Sequence, residues 1–279
     1  MTVYYGTTGN DTINGGGSAD IIYGYQGDDT LRGYGGNDVL YGAEGNDTLQ
    51  GGDGQDTLYG GIGNDPYLRG GGGNDWIYGE DGDDHLIGDG GNDYLSGGAG
   101  VDWLEGGDGQ DVAYGGAGND TLEGGSADDW LFGDSGSDTI RGGNNNDRLF
   151  GGDGNDFIWG DGGNDWIIGG DGSDTMNGGT NNPDRFYFQL GDADNDIISD
   201  FWAEDSIYLD TALYSHYVGV TYAGPNTYDM VFDNGESIRL IGPGAWSPAV
   251  YVYTVGSSDD PYQNVAGGPN GDGTDFGHG

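Results

Sequence analysis

From Gly6 to Asn177 large aliphatic residues recur every nine positions, each flanked by two outward-type residues and separated from the next by six positions rich in glycine and aspartate. The series is Ile13, Ile22, Leu31, Leu40, Leu49, Leu58, Leu68, Ile77, Leu86, Leu95, Leu104, Leu122, Leu131, Ile140, Leu149, Ile158, Ile167 and Met176, with Ala113 its small member. A period of nine matches neither the 3.6 of a helix nor the sustained alternation of a long strand. Glycine is chosen where positive φ is needed, so the six-residue stretches are turns. The other three positions form a short strand that points out, in, out. Such a strand buries almost nothing alone, so successive strands must stack. Two units per coil then give two parallel sheets across a thin aliphatic core. At a strand spacing of about 4.8 Å, nine and a half coils make a rod on the order of 45 Å long.

The register is clear in Gly42-Ala43-Glu44-Gly45-Asn46-Asp47-Thr48-Leu49-Gln50 and Gly51-Gly52-Asp53-Gly54-Gln55-Asp56-Thr57-Leu58-Tyr59, and the frame is GGxGxDxUx. It holds for nineteen units, with one inserted residue at Pro66-Tyr67. The sixth position is always aspartate: Asp11, Asp20, Asp29, Asp38, Asp47, Asp56, Asp65, Asp75, Asp84, Asp93, Asp102, Asp111, Asp120, Asp129, Asp138, Asp147, Asp156, Asp165 and Asp174. Asp184 joins them where the frame decays. Stacking puts aspartates eighteen residues apart about one strand spacing from each other. At an effective dielectric near 20 each neighbouring pair repels by about 3 kcal/mol, more than so slim a core offsets. A hard divalent cation between turns reverses that sign, and carboxylate plus carbonyl oxygen suits calcium. Nine gaps in the odd column and eight in the even one predict about seventeen ions.

The nonapeptide resembles the calcium-binding repeat of the RTX (repeats-in-toxin) family. The resemblance implies ions between turns, held by these aspartates and by turn carbonyls. It also implies type I secretion of an unfolded chain that folds on meeting extracellular calcium. After Gly178 come Arg185-Phe186-Tyr187-Phe188, Asp196-Ile197-Ile198-Ser199-Asp200-Phe201 and Asp205-Ser206-Ile207-Tyr208-Leu209. These resemble the segments that follow the repeats in serralysin-type proteases and alginate epimerase modules, which implies a capping role. Residues Tyr217 to Tyr222, Thr227 to Phe232 and Ser237 to Ile241 alternate, with Asp233-Asn234-Gly235 as a hairpin turn. The expected fold is all-β: a lead-in (1–5), a parallel β-roll (6–184), a small antiparallel β capping domain (185–255) and a polar Gly/Asp-rich tail (256–279).

Composition sharpens the metal requirement. There are 49 acidic and 6 basic residues, a formal charge of −43, which alone suggests a disordered polyanion. Seventeen divalent ions add +34 and leave about −9, ordinary for a soluble protein. A nucleic-acid partner is excluded for want of a basic footprint. No cysteine is present, so metal and stacking must supply stability. No apolar run is long enough to span a membrane, and Met1-Thr2-Val3-Tyr4-Tyr5 has no signal-peptide pattern.

Catalytic parts are missing from the pattern. Glycine spacing here follows the repeat, with no βαβ unit and no lysine for a phosphate loop. Helical calcium loops lack their twelfth-position glutamate. His85, His216 and His278 are read as surface residues, and paired carboxylates as ligands rather than glycosidase acids. The chain is therefore expected not to be an enzyme. Outward positions differ by parity: even units carry Tyr23, Tyr41, Tyr59, Tyr78, Tyr114, Phe132 and Phe150 at position nine and Trp76, Tyr94, Trp130 and Trp166 at position seven. Odd units carry Thr12, Thr30, Thr48, Thr121, Thr139 and Thr175, with Arg32, Arg69 and Arg141. One face is expected to be aromatic and the other polar. The aromatic face is either internal cross-strand stacking or a partner surface for another copy, the C-terminal domain or a polysaccharide. Ice binding fits only Thr8 and Asn10 of the turns. Two roles remain: a secreted, self-associating structural protein (filament, matrix or surface layer), suggested by the uncapped first repeat, or a carbohydrate-binding or enzyme-accessory module.

Overall fold

The structure, a computed structural model, describes residues 1–242 apart from Asn181, Ala203 and Pro225, together with the strand Val252–Thr254. The Gly/Asp-rich tail and His278 lie outside the described residues. Strands alternate between two sheets as the parity of the units requires, and within each sheet a strand pairs in parallel with the one a coil away. In the even sheet Tyr41 stands opposite Tyr23 and Tyr59. In the odd sheet Leu104 stands opposite Leu86 and Leu122. From Asp20–Gln26 to Trp166–Asp171 each strand is longer than three residues, because it continues through the first three turn positions of the next unit, as in Trp103–Asp108, whereas Thr12–Asn14 and Thr175–Asn177 at the ends of the array keep three. The inward residues from Ile22 to Met176 are fully excluded from solvent, Ala113 nearly so, and they form one core along the rod.

Two glycine positions explain the turns. Position two takes positive φ, as at Gly98 (111°) and Gly107 (113°), and even non-glycine residues there, such as Asp89 (73°), adopt it. Position one is glycine for space: an ideal Cβ on Gly124 would lie 2.6 Å from both Asp129 Oδ2 and the carbonyl oxygen of Gly142.

The roll is longer than its repeats at both ends. Thr2–Tyr5, expected as a lead-in, is the first strand of the even sheet, with Tyr4 opposite Ile22 and Tyr5 opposite Tyr23. Beyond the repeats, Arg185–Phe188, Ser206–Leu209 and Val252–Thr254 extend the even sheet in parallel, and Asp194–Ile198 and Ser237–Ile241 extend the odd one. The antiparallel region is confined to Tyr217–Gly224, Thr227–Phe232 and Ser237–Ile241. Its turn has Gly235 at φ 101°, and it follows a single helical turn, Thr211–Tyr214, capped by Asp210.

Candidate metal columns

Each sixth-position aspartate ends a turn with its carboxylate directed inward. Its Oδ1 accepts the backbone N–H of the aspartate one coil earlier: Asp84 N–H to Asp102, then Asp102 N–H to Asp120, at 2.8 Å each. The same bond links Asp93 to Asp111 and Asp111 to Asp129 in the other column, again at 2.8 Å. These bonds run through every predicted aspartate from Asp11 to Asp184, so the structure assembles all of them into two columns.

The second oxygen is different. From Asp29 through Asp184 the Oδ2 atoms are buried and without any hydrogen-bond partner. A buried, unpaired carboxylate oxygen costs several kcal/mol, and a run of them in a native fold needs an explanation. Each lies in the space cleared by the position-one glycine of its own unit, and at most of them, as at Gly97, Gly106 and Gly124, the carbonyl of the glycine one coil on borders the same space. At Gly124 both oxygens lie within 2.6 Å of one point, so they are at most 5.2 Å apart, a separation that two oxygen ligands of one calcium can span. Among the described residues no three His, Cys, Asp or Glu side chains converge. Coordination here would therefore combine one or two carboxylates with turn carbonyls. That donor set is all hard oxygen and fits calcium.

Burial, helped by like charges along the columns, raises these carboxyls far above the usual carboxylate range. Asp56, Asp75, Asp93 and Asp102 are pushed up to about 7 and Asp65, Asp129 and Asp147 to about 8. The N–H bonds to Oδ1 oppose this and do not cancel it. A polyanionic column in a protein at neutral pH is thus under strain that protons or cations relieve.

Two column members escaped the sequence. Asp184 N–H donates to Asp205 Oδ1 at 3.0 Å and Asp174 N–H to Asp196 Oδ1 at 2.8 Å, so Asp205 and Asp196 occupy the sixth position in the segments after the repeats. The order Asp-x-aliphatic survives in Asp196-Ile197-Ile198 and Asp205-Ser206-Ile207 and was the available signal. Without the glycine turn the coil length changes to 22 and 21 residues, which hid the register.

The aromatic residues form ladders. On the even sheet Tyr23, Tyr41 and Tyr59 stack at 4.9 Å, and Tyr114, Phe132 and Phe150 at 4.6 and 4.5 Å. Tyr5 begins this ladder, stacked on Tyr23 at 5.6 Å. Position nine is Ser96 in one coil, and Tyr94 from position seven leans across, 5.7 Å from Tyr78 and 5.6 Å from Tyr114. Arg148 lies over Trp130 and Arg185 over Trp166. Stacking hides the ring faces, and Phe132 and Phe150 are only 7% and 5% exposed. Of the predicted partner surface, Trp76 remains well exposed at 40%. The odd sheet is less polar than parity suggested. His85 stacks on Trp103 at 4.6 Å, Phe157 on Trp159 at 6.1 Å, and both Trp103 and Phe157 are exposed. Two of its arginines act as clamps, Arg69 on Asp89 and Arg141 on Asp161, each through two nitrogens. His216 pairs with Asp233 at 2.6 Å.

Residues 5–40, 32–65, 67–95, 96–131, 123–158 and 150–182 match the family model described as RTX calcium-binding nonapeptide repeat (4 copies). No curated protein matches the chain. Seventeen chains of solved structures do match. One is extracellular lipase LipA from Serratia marcescens, 16% identical over 87% of this chain and 38% of that one, with a TM-score of 0.18. The chain thus spans well under half of that protein, and so low a TM-score supports no argument about fold or activity.

Proposed function

The chain belongs to the RTX calcium-binding nonapeptide repeat family, and from that premise we propose that it is a secreted, non-enzymatic structural protein whose roll folds when its aspartate columns are filled with calcium, about seventeen ions in all. The observation that supports this is the unbroken series of buried, unpartnered Oδ2 atoms from Asp29 to Asp184, each in a space only glycine leaves open and most of them beside a turn carbonyl. When bound, calcium supplies positive charge to two columns of negative oxygen. The protein's part is to fix Oδ1 by a backbone N–H, aim Oδ2 inward and exclude water with the aliphatic core.

Because the ligands come from adjacent coils, binding and folding are one event. At low calcium the columns favour the unfolded chain; at millimolar calcium they favour the roll. That difference suits export of an unfolded chain followed by folding outside the cell. Circular dichroism of the full chain tests the proposal: strand signal should appear between excess chelator and millimolar calcium. Equal strand content in both would refute it.

Self-association is the finer part of the proposal. It is supported by the position of Thr2–Tyr5 at the end of the even sheet, where only the Asp20–Gln26 side is paired among the described strands. Electron microscopy after calcium addition should show filaments or layers, and monodisperse particles at high concentration would remove this part. A glycan-binding or enzyme-accessory role draws on exposed Trp76, Trp103 and Phe157. Calorimetry with acidic and neutral polysaccharides tests that alternative, and absence of heat at millimolar sugar eliminates it.

A further inference from the structure

The two columns do not end where the repeats end. At the N-terminal side the protein satisfies its own carboxylates: Asp11 Oδ2 accepts Thr7 N–H at 2.6 Å and Thr7 Oγ1–H at 2.8 Å, and Asp20 Oδ2 accepts Gly16 N–H at 2.9 Å. At the C-terminal side the even column closes in the same way, since Asp205 Oδ2 accepts Trp202 N–H at 2.7 Å. Each of these oxygens has a donor hydrogen on it, which is where a cation would otherwise approach.

The odd column has no such closure. Asp196 is fully buried, its Oδ1 is held by Asp174 N–H, and its Oδ2 has no partner. It stands in the 22-residue coil outside the matched repeats. The negative fields of Asp174, Asp192 and Asp194 converge on it, and Glu236 Oε2, on the hairpin that clamps this loop through Gly191 N–H, is also buried without a partner. An isolated carboxylate in such a place is costly unless a cation compensates it.

We propose that Asp196 holds a further divalent cation of the calcium type, so that the odd column runs one site past the repeats and ties the C-terminal region to the roll. It follows too that Asp11, Asp20 and Asp205 are column ends which bind none through Oδ2. This rests on the reading that cations fill the columns.

Native mass spectrometry of the full chain in calcium counts the ions. Asp196→Asn, which keeps the Oδ1 acceptor, should carry one ion fewer than wild type, whereas Asp205→Asn should carry the wild-type number. An unchanged count in folded Asp196→Asn overturns the site, and a wild type that binds no ions overturns the underlying reading instead. Anomalous diffraction from calcium-grown wild-type crystals decides the matter even if the variant does not fold. A peak within about 2.3–2.6 Å of Asp196 Oδ2 is expected; bare density there refutes the proposal.

Discussion

Substituting a position-one glycine tests the link between turn geometry and the metal columns. Gly124→Ala places a methyl group 2.6 Å from Asp129 Oδ2 and 2.6 Å from the Gly142 carbonyl, where ordinary contact begins near 3.4 Å. Both neighbours must therefore retreat by about 0.8 Å. The carboxylate is short and fixed at Oδ1 by the N–H of Asp111, and the carbonyl is backbone, so neither yields cheaply. Overpacking of this kind costs about 1–3 kcal/mol, and displacing Asp129 Oδ2 also weakens a proposed calcium ligand. Gly90→Ala is the matched control, because nothing lies within 4 Å of its new methyl group and its φ is outside the left-handed region. There the smaller entropy of the unfolded chain predicts a change of zero to about 1 kcal/mol in favour of folding. Thermal unfolding in saturating calcium should lower the midpoint by about 2–12 °C for Gly124→Ala and leave Gly90→Ala level or higher. The calcium midpoint for folding should rise only for Gly124→Ala. Equal behaviour of the two variants would refute the argument that glycine clears space for the columns.

The column charge makes further predictions. In chelator the raised carboxyls favour their protonated form in the roll, so their contribution is fully present below about pH 4 and fades as pH rises through 6 to 8; strand signal in chelator should be greater at pH 4.5 than at pH 8, and the reverse order would exclude this linkage. Asp102→Asn keeps the acceptor for Asp84 N–H and removes one buried charge, so it should help the chelated chain at neutral pH and weaken the calcium-loaded one. The same sign of effect in both denaturation series would count against ion binding at Asp102. Arg69→Ala loses a partly exposed two-point pair with Asp89 and should change stability by no more than about 1 kcal/mol; a larger loss in calcium would show that the clamp has a further role.

The repeated core was legible because it is local. Any sequence that places an aliphatic residue every nine positions, with glycine turns between, presents the same inward site to every coil, and parity then assigns each unit to one sheet. Ile22 to Met176 and the aspartates from Asp11 to Asp174 follow from counting alone. The aromatic face was legible only as composition. Whether Phe132 offers a surface or is covered by its neighbours depends on ring stacking and on Arg148 lying over Trp130, which spacing does not encode.

Sequence by itself therefore determined the period, the two-sheet roll, the aliphatic core and the two lines of carboxylates, since each depends on interactions that repeat identically from coil to coil. Tertiary structure decided the ends. Thr2–Tyr5 became a strand, Asp205 and Asp196 entered the columns through coils of irregular length, and only one of those two was left with an oxygen unsatisfied. The physical reason is that a column end has no next coil to copy. Its polar groups must find whatever donor the chain brings near, and that is settled by folding in three dimensions rather than by spacing.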